Sequence, residues 1–253
     1  MLIEDRLNTI TQIIEEHKSI SIENLVGLLQ VSKDTIRRDL IKLEQDNVIR
    51  RTHGGAVLNN RDALIFDYAQ RSSKFNPVKE KIARKAAEYI KDNSSVIFDS
   101  STTVEAVTVD LMDKNINAIT NSLPIAQRMA RNNKSVISVL PGKLHKDQLF
   151  LYGSETIQKL AEYNVDYVLL GVFAISADGI FIHTEEEGLV KRQMVNQGVT
   201  VIALADHSKI DTKGFFKVCD LSRIDYLVTD SEPEESFKNA LKKNGVQLVL
   251  ANT

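Results

Sequence analysis

The chain has 253 residues, a formal charge of −2 and 43% hydrophobic residues. That length can bury the core of one large domain or two modest ones, and a near-neutral total gives no global attraction to nucleic acid, so any such binding needs a local patch. Cys219 is the sole cysteine, which excludes an intramolecular disulfide and a multi-cysteine zinc cage; with no signal peptide or apolar span in view, the cytoplasm is the expected location, away from membranes.

In chain order, Leu7, Ile10, Ile13 and Ile14 lie at helical spacing between Glu4 and His17. Ser21 offers an N-cap for a second helix in which Leu25, Leu28 and Leu29 share a face, and the chain turns at Gln30-Val31-Ser32 into a third. There Ile36, Leu40 and Leu43 fall at i, i+4 and i+7, an apolar stripe with Ser32 as N-cap. At about 100° per residue, Asp34, Arg38, Ile41 and Gln45 point away from the stripe, with Thr35 and Arg37 flanking it. The stretch VIRRTHGGAV that follows reads as strand, Gly-Gly turn and strand, with Arg50, Arg51 and His53 near the turn. Two short helices joined by a tight turn form a helix-turn-helix, whose second helix enters the major groove; the hairpin behind it makes a wing. Such a charged face is commonly only a solvated surface, and an enzyme subdomain can hold the same elements. On the nucleic-acid reading, Ser32, Lys33 and Thr35 sit near backbone or base edges, and Arg37 or Arg38 reads a guanine through its fork. Lys42, Arg50, Arg51 and His53 then meet phosphates, and the partner is a double-stranded operator.

Residues 1–58 are thus expected to be a winged helix-turn-helix domain and 59–76 a connection, with 77–253 a second domain opened by a helix from Pro77 to Lys91. Apolar runs such as SVIFDS, INAITNS, VDYVLLGVF, VTVIALAD and IDYLVTD alternate with helical patterns there, which indicates βαβ units and a mainly parallel sheet covered on both faces. Ligands in such folds sit beyond the carboxyl ends of the strands. The runs end in Asp99-Ser100-Ser101-Thr102-Thr103, Thr120-Asn121-Ser122, Pro141-Gly142-Lys143 and Asp206-His207-Ser208-Lys209. Hydroxyls and N–H groups entering helices suit an oxyanion or phosphate, lysine suits phosphate, and Asp and Asn suit sugar hydroxyls. Each loop alone could be simple capping; four on one edge point to a ligand.

VSKDTIRRDLIKLEQDNVIRRTHGGAV resembles the signature of the DeoR family of bacterial transcription regulators, with Asn47 where that family usually has Gly. DSSTT, ITNSLPIA, PGKLHKDQLFLYGSET, EEEGLVKRQMV and ADHSKIDTKGFFKV resemble segments of its sensor half, so the resemblance covers residues 1 to about 235. It implies an α/β sensor related to ribose-5-phosphate isomerase and coenzyme A transferase folds, and a repressor relieved by an effector. Two departures stand out: Ser101 replaces a Gly of the phosphate loop, and Phe173 stands in the place of an acid.

The expected function is therefore a DNA-binding regulator, a repressor of a carbohydrate-catabolism operon. A phosphorylated sugar bound at Asp99 to Thr103, Thr120 to Ser122, Gly142, Lys143, Glu187, Lys191, Asp206, Ser208 and Lys209 would control it. A homodimer or homotetramer would present paired heads to a repeated operator. The alternative is a sugar-phosphate isomerase-like enzyme with an accessory nucleic-acid-binding domain, using Asp99, Glu187, Lys191 or Lys209. A fused reading head favours the regulator, so no catalytic residue and no cofactor is assigned. His183 with Glu186 and Glu187 is ordinary surface spacing, so no metal is expected either.

Overall fold

The computed structural model describes residues 3–17, 19–45, 48–52, 54–58, 68–73 and 76–251; Asn47, His53 and most of the connection after Leu58 lie outside the described residues. The chain divides into two compact units, Met1–Phe66 and Asp67–Thr253.

The first unit consists of α1 (Ile3–His17), β1 (Ser19–Ser21), α2 (Ile22–Leu29), α3 (Lys33–Gln45), β2 (Ile49–Thr52) and β3 (Gly55–Leu58). Ile10, Ile14, Leu25, Ile36, Leu40 and Ile49 make its core. Ser21 caps α2 by accepting from the Asn24 N–H at 3.1 Å. The helix ends at Gln30, whose left-handed backbone (φ 51°, ψ 41°) returns its N–H to the Val26 carbonyl at 2.9 Å. Ser32 then accepts the Thr35 N–H at 3.1 Å and starts α3, so three residues turn the chain between two capped helices. The buried stripe of α2 runs through Ile22, Leu25, Val26 and Leu29, which leaves Leu28 off it and 62% exposed, outside the face expected for it.

The short strand β1 has no counterpart in the sequence reading. It pairs antiparallel with β3, giving the order β1-β3-β2. This also corrects the expected Gly-Gly turn: Thr52 pairs with Gly55, so Gly55 already belongs to β3. A Cβ on Gly55 would lie 2.1 Å from the Ile20 carbonyl oxygen, and only glycine lets β1 approach there.

The second unit opens with α4 (Tyr68–Ser73), inside the stretch expected to connect the domains, and α5 (Pro77–Ala87). Next come β4 (Ser94–Phe98), α6 (Thr102–Val107), β5 (Ile116–Thr120), α7 (Leu123–Met129) and β6 (Val136–Val139). A hairpin of β7 (Lys143–His145) and β8 (Phe150–Tyr152) precedes α8 (Ser154–Leu160) and β9 (Val165–Gly171). β10 (Ala174–Ser176), β11 (Gly179–Ile182), α9 (Glu185–Gln197), β12 (Gly198–Leu204), β13 (Phe216–Cys219), β14 (Tyr226–Thr229), α10 (Glu235–Lys243) and β15 (Gln247–Leu250) complete it.

Seven of these strands form a parallel sheet in the order β15-β14-β12-β9-β4-β5-β6. Successive residues face opposite sides, as the pleat requires. Val96, Phe98, Leu169, Ile202 and Val228 pack with α5, α6 and α7, while Ile97, Val168, Leu170, Ala203 and Leu227 pack with α8, α9 and α10. Burial on both faces explains why these runs are apolar without alternation. The chain builds outward from β4 through β5 to β6, then restarts at β9 on the other side of β4. The junction of β4 and β9 is therefore the topological switch point, where the crevice of such a sheet opens.

Candidate functional site

Two surfaces carry chemistry, one on each unit. On the first unit, Lys33, Arg37, Arg38 and Lys42 are exposed on α3 while Ile36, Leu40 and Leu43 are buried. Their electrostatic states differ. Lys33 pairs with Glu23 of α2 at 2.6 Å, and Arg37 lies 3.4 Å from Asp34. Among the described residues, no carboxylate pairs with Arg38 or Lys42. In the wing, Arg51 is held by Glu44 at 2.9 Å, whose carboxylate also accepts the Arg51 N–H; Arg50 is placed only as a member of β2. Asp39, in the same RRDL run, is no surface charge: it is 5% exposed and accepts the Arg6 fork at 2.6 and 3.1 Å, fastening α3 to α1. That holds the exposed face of α3 in a fixed attitude.

On the second unit the polar strand ends gather at the switch point. Asp99 leaves β4 almost fully buried; its carboxylate accepts the Gly171 N–H at the end of β9, 2.9 Å away, and the Lys191 ammonium of α9. Lys191 also donates to the Gly171 carbonyl at 3.0 Å and lies 3.7 Å from Glu187, one turn earlier on α9. Burial pushes the Glu187 carboxyl above its ordinary range, and Asp99 adds to the rise, while Lys191, Arg71 and His145 oppose it. Gly171 is obligatory here: a Cβ on it would fall 2.0 Å from Ser101 Cβ. Ser101, just beyond β4, is thus packed against a glycine on the neighbouring strand.

Several strand-end hydroxyls are committed to the fold. Ser101 accepts the Thr103 and Val104 N–H groups, and Ser122 accepts that of Ile125. Thr120 is fully buried; it donates to the Phe98 carbonyl and accepts the Ser122 N–H. Asn121 donates to the Leu151 carbonyl at 2.9 Å, which ties the β7–β8 hairpin to the end of β5, and its side-chain oxygen is buried with no partner. Gly142 (φ 142°) leaves no room for a Cβ, which would meet Thr156 Oγ1 at 2.3 Å, and Lys143 is exposed on β7. Asp206 caps the next turn through the Ser208 N–H. That turn is braced by Asp230 beyond β14, which binds the His207 N–H and ring nitrogen, each at 2.7 Å.

Over this cluster lies a layer that sequence reasoning missed. Lys79 of α5 donates to Thr102 Oγ1 at 3.1 Å. Burial lowers its pKa, with further depression by Arg71 and Lys209 partly offset by Asp206 and Glu105. Arg71 of α4 donates to Gln148 in the hairpin loop. Buried Glu105 is spent on the Tyr68 hydroxyl and on Arg128 at 2.8 Å. A cleft of about 230 Å³ lies among Arg71, Asn76, Lys79, Thr102, Glu105 and Arg128. Neither Arg71 nor Lys79 follows an apolar run, so a search of strand ends passes over both; an aromatic and an arginine in the short segment before Pro77 were the available signal. Among the described residues, no trio of His, Cys, Asp or Glu is placed to hold a metal ion, and no helix is long and apolar enough to cross a membrane.

Comparison with known proteins matches residues 6–62 to the model of the DeoR-like helix-turn-helix domain and residues 75–231 to that of the DeoR C terminal sensor domain. The chain is 44% identical to the HTH-type transcriptional repressor GlcR of Bacillus subtilis, over 98% of this chain and 96% of that one. It is 34% identical to the glycerol-3-phosphate regulon repressor of Haemophilus influenzae and 31% identical to that of Escherichia coli, over 98% and 97% of this chain and 96% and 98% of theirs. Similar solved structures include ribose 5 phosphate isomerase A of Neisseria gonorrhoeae (16% identity, TM-score 0.38, 53% of each chain) and eIF2B beta of Chaetomium thermophilum (15%, 0.43, 89% and 63%). These three relatives, which match over nearly the whole length with the reading head included, are named as repressors, so the isomerase-like alternative falls away.

Proposed function

Because this chain belongs to the DeoR family of helix-turn-helix transcription regulators, we propose that it represses a carbohydrate-catabolism operon under the control of a phosphorylated sugar. It is a regulator and not an enzyme. The observation that carries the effector reading is the charge pattern at the carboxyl edge of the sheet. Arg71 and Lys209 both add positive charge around Lys79 there against the acids Asp206 and Glu105, while Glu105 and Asp99 pair with Arg128 and Lys191. A half-buried cluster in which cations outnumber the unpaired acids suits an anion. The neighbouring Asn121, with a buried side-chain oxygen to spare, suits a sugar hydroxyl. The relatives named for glycerol-3-phosphate regulons agree with a phosphorylated carbon compound as ligand.

On the DNA side, Arg38 reads a base and Lys42 holds a phosphate, with Ser32, Lys33, Thr35 and Arg37 around them and Arg50, Arg51 and His53 in the wing. A homodimer or homotetramer supplies two heads for two half-sites, and ligand binding shifts the balance between arrangements that do and do not fit the operator. The test is operator binding by the full chain, followed by fluorescence anisotropy with glucose 6-phosphate, fructose 6-phosphate, glycerol 3-phosphate and their unphosphorylated counterparts. Salt-sensitive binding that one phosphorylated compound alters and its counterpart does not is expected. Equal operator affinity with every compound would remove the sensor role.

A further inference from the structure

We infer that Arg71 of α4 and Lys79 of α5 form the clamp for the ligand's phosphate group, and that Arg71 thereby ties α4 to the occupied pocket. This rests on the reading of the pocket as a site for a phosphorylated compound.

Arg71 is permanently charged, and one arm of its guanidinium donates to Gln148. Its Nε is buried and has no partner among the described residues. An orphaned donor on a charged group costs free energy that a bound acceptor would recover. Lys79 has hydrogen-bond partners and lacks an ion pair: its ammonium touches the Thr102 hydroxyl and, at 3.4 Å, the Arg71 carbonyl, but among the described residues no carboxylate pairs with it. Glu80 also lines the cleft but among the described residues forms no ion pair with either cation, and the other acids nearby are engaged. Glu105 is engaged by Tyr68 and Arg128, and Asp206 caps its own turn. The two cations and Thr102 border the same cleft of about 230 Å³. A fork, a point charge and a hydroxyl on one cleft, with no carboxylate paired to either cation among the described residues, match a phosphate dianion.

The position of Arg71 in the chain gives the clamp a consequence. α4 is the first described element after the DNA-reading unit. Among the described residues its ties to the sensor include the Tyr68 N–H to the Asp147 carbonyl at 2.8 Å, the Tyr68 hydroxyl to Glu105, the Arg71 guanidinium to Gln148 and the Arg71 carbonyl to Lys79. A phosphate held by Arg71 adds a charged contact to this short helix, so occupancy tightens the segment that leads to the reading head.

The test uses the full chain, with glucose 6-phosphate, fructose 6-phosphate, glycerol 3-phosphate and inorganic phosphate as probes and glucose, fructose and glycerol as controls. Thermal shift and titration are measured for the wild type, Arg71→Ala and Arg71→Lys, and hydrogen exchange over residues 68–73 is measured in the wild type. A phosphorylated probe should stabilise the wild type. Arg71→Ala should weaken that probe about tenfold or more, and Arg71→Lys, which keeps the charge and loses the fork, should fall between. Exchange at 68–73 should slow when the probe saturates the protein. Unchanged affinity in Arg71→Ala, or unchanged exchange in α4 at saturation, overturns the clamp and leaves the pocket reading standing. If no phosphorylated probe stabilises the wild type, the pocket reading fails and the clamp with it. Should Arg71→Ala not fold, Arg71→Lys and the wild-type exchange decide the matter.

Discussion

Lys191 of α9 donates to Asp99 at the end of β4, with both side chains nearly sealed from solvent, and so fastens a helix to the switch point of the sheet. Removing one member leaves the other charged and unpaired. Lys191→Met should lower stability by about 3–5 kcal/mol, and adding Asp99→Asn should return part of that loss, because a neutral amide costs less to bury than a lone carboxylate. Chemical denaturation of the wild type and the two variants measures it; equal losses in the single and double variants would mean the pair contributes little.

Gly171 and Ser101 occupy space that admits only one Cβ. Gly171→Ala should destabilise the sensor unit by about 1–3 kcal/mol through overpacking. Ser101→Gly in the same chain should relieve much of that, less the loss of a helix cap worth about 1 kcal/mol. Thermal unfolding of the single and double variants shows whether the two positions are coupled.

On α3 the unpaired cations should outweigh the paired ones. Arg38→Ala should weaken operator binding by about 1–3 kcal/mol and relax preference at one base pair. Lys42→Ala should weaken all sequences alike and reduce the salt slope by about 1. Arg51→Ala should do less than Lys42→Ala, since Glu44 already screens it. Anisotropy titrations across a salt series separate the three.

The Arg6–Asp39 pair should matter to the reading unit through folding rather than contact. Asp39→Ala should destabilise that unit by about 1.5–3 kcal/mol, the range of hydrogen bonds to charged groups, while leaving the salt slope of the folded fraction unchanged. Circular dichroism beside operator titrations is the check.

Ligand binding should also depend on pH through Lys79. Burial and neighbouring cations favour its neutral form, so its folded-state pKa lies below the ordinary 10.5. For the empty protein the sign is that stability rises with pH between the depressed pKa and 10.5, where the unfolded chain holds the extra proton. An anion favours the charged form, so affinity should fall as pH climbs through that window, with proton uptake on binding just above the depressed pKa. Calorimetry in two buffers of different ionisation heat measures the uptake, and Lys79→Arg should abolish it.

The reading head was legible in the sequence because its physics is local. The 3.6-residue spacing of Ile36, Leu40 and Leu43, the caps at Ser21 and Ser32, and adjacent arginines off the stripe fix a capped amphipathic helix with an exposed cationic face. The parallel sheet was legible too, since strands buried on both faces must be apolar throughout. What tertiary structure alone decided was which of these polar groups remain available. Asp39 reads as one more surface acid until Arg6, 33 residues away, closes on it, and Thr120 reads as a ligand hydroxyl until Phe98 and Ser122 occupy it. Arg71 and Lys79 follow no apolar run, yet the fold brings them over the strand ends with charge to spare, because pairings between distant segments leave no periodic trace in the chain.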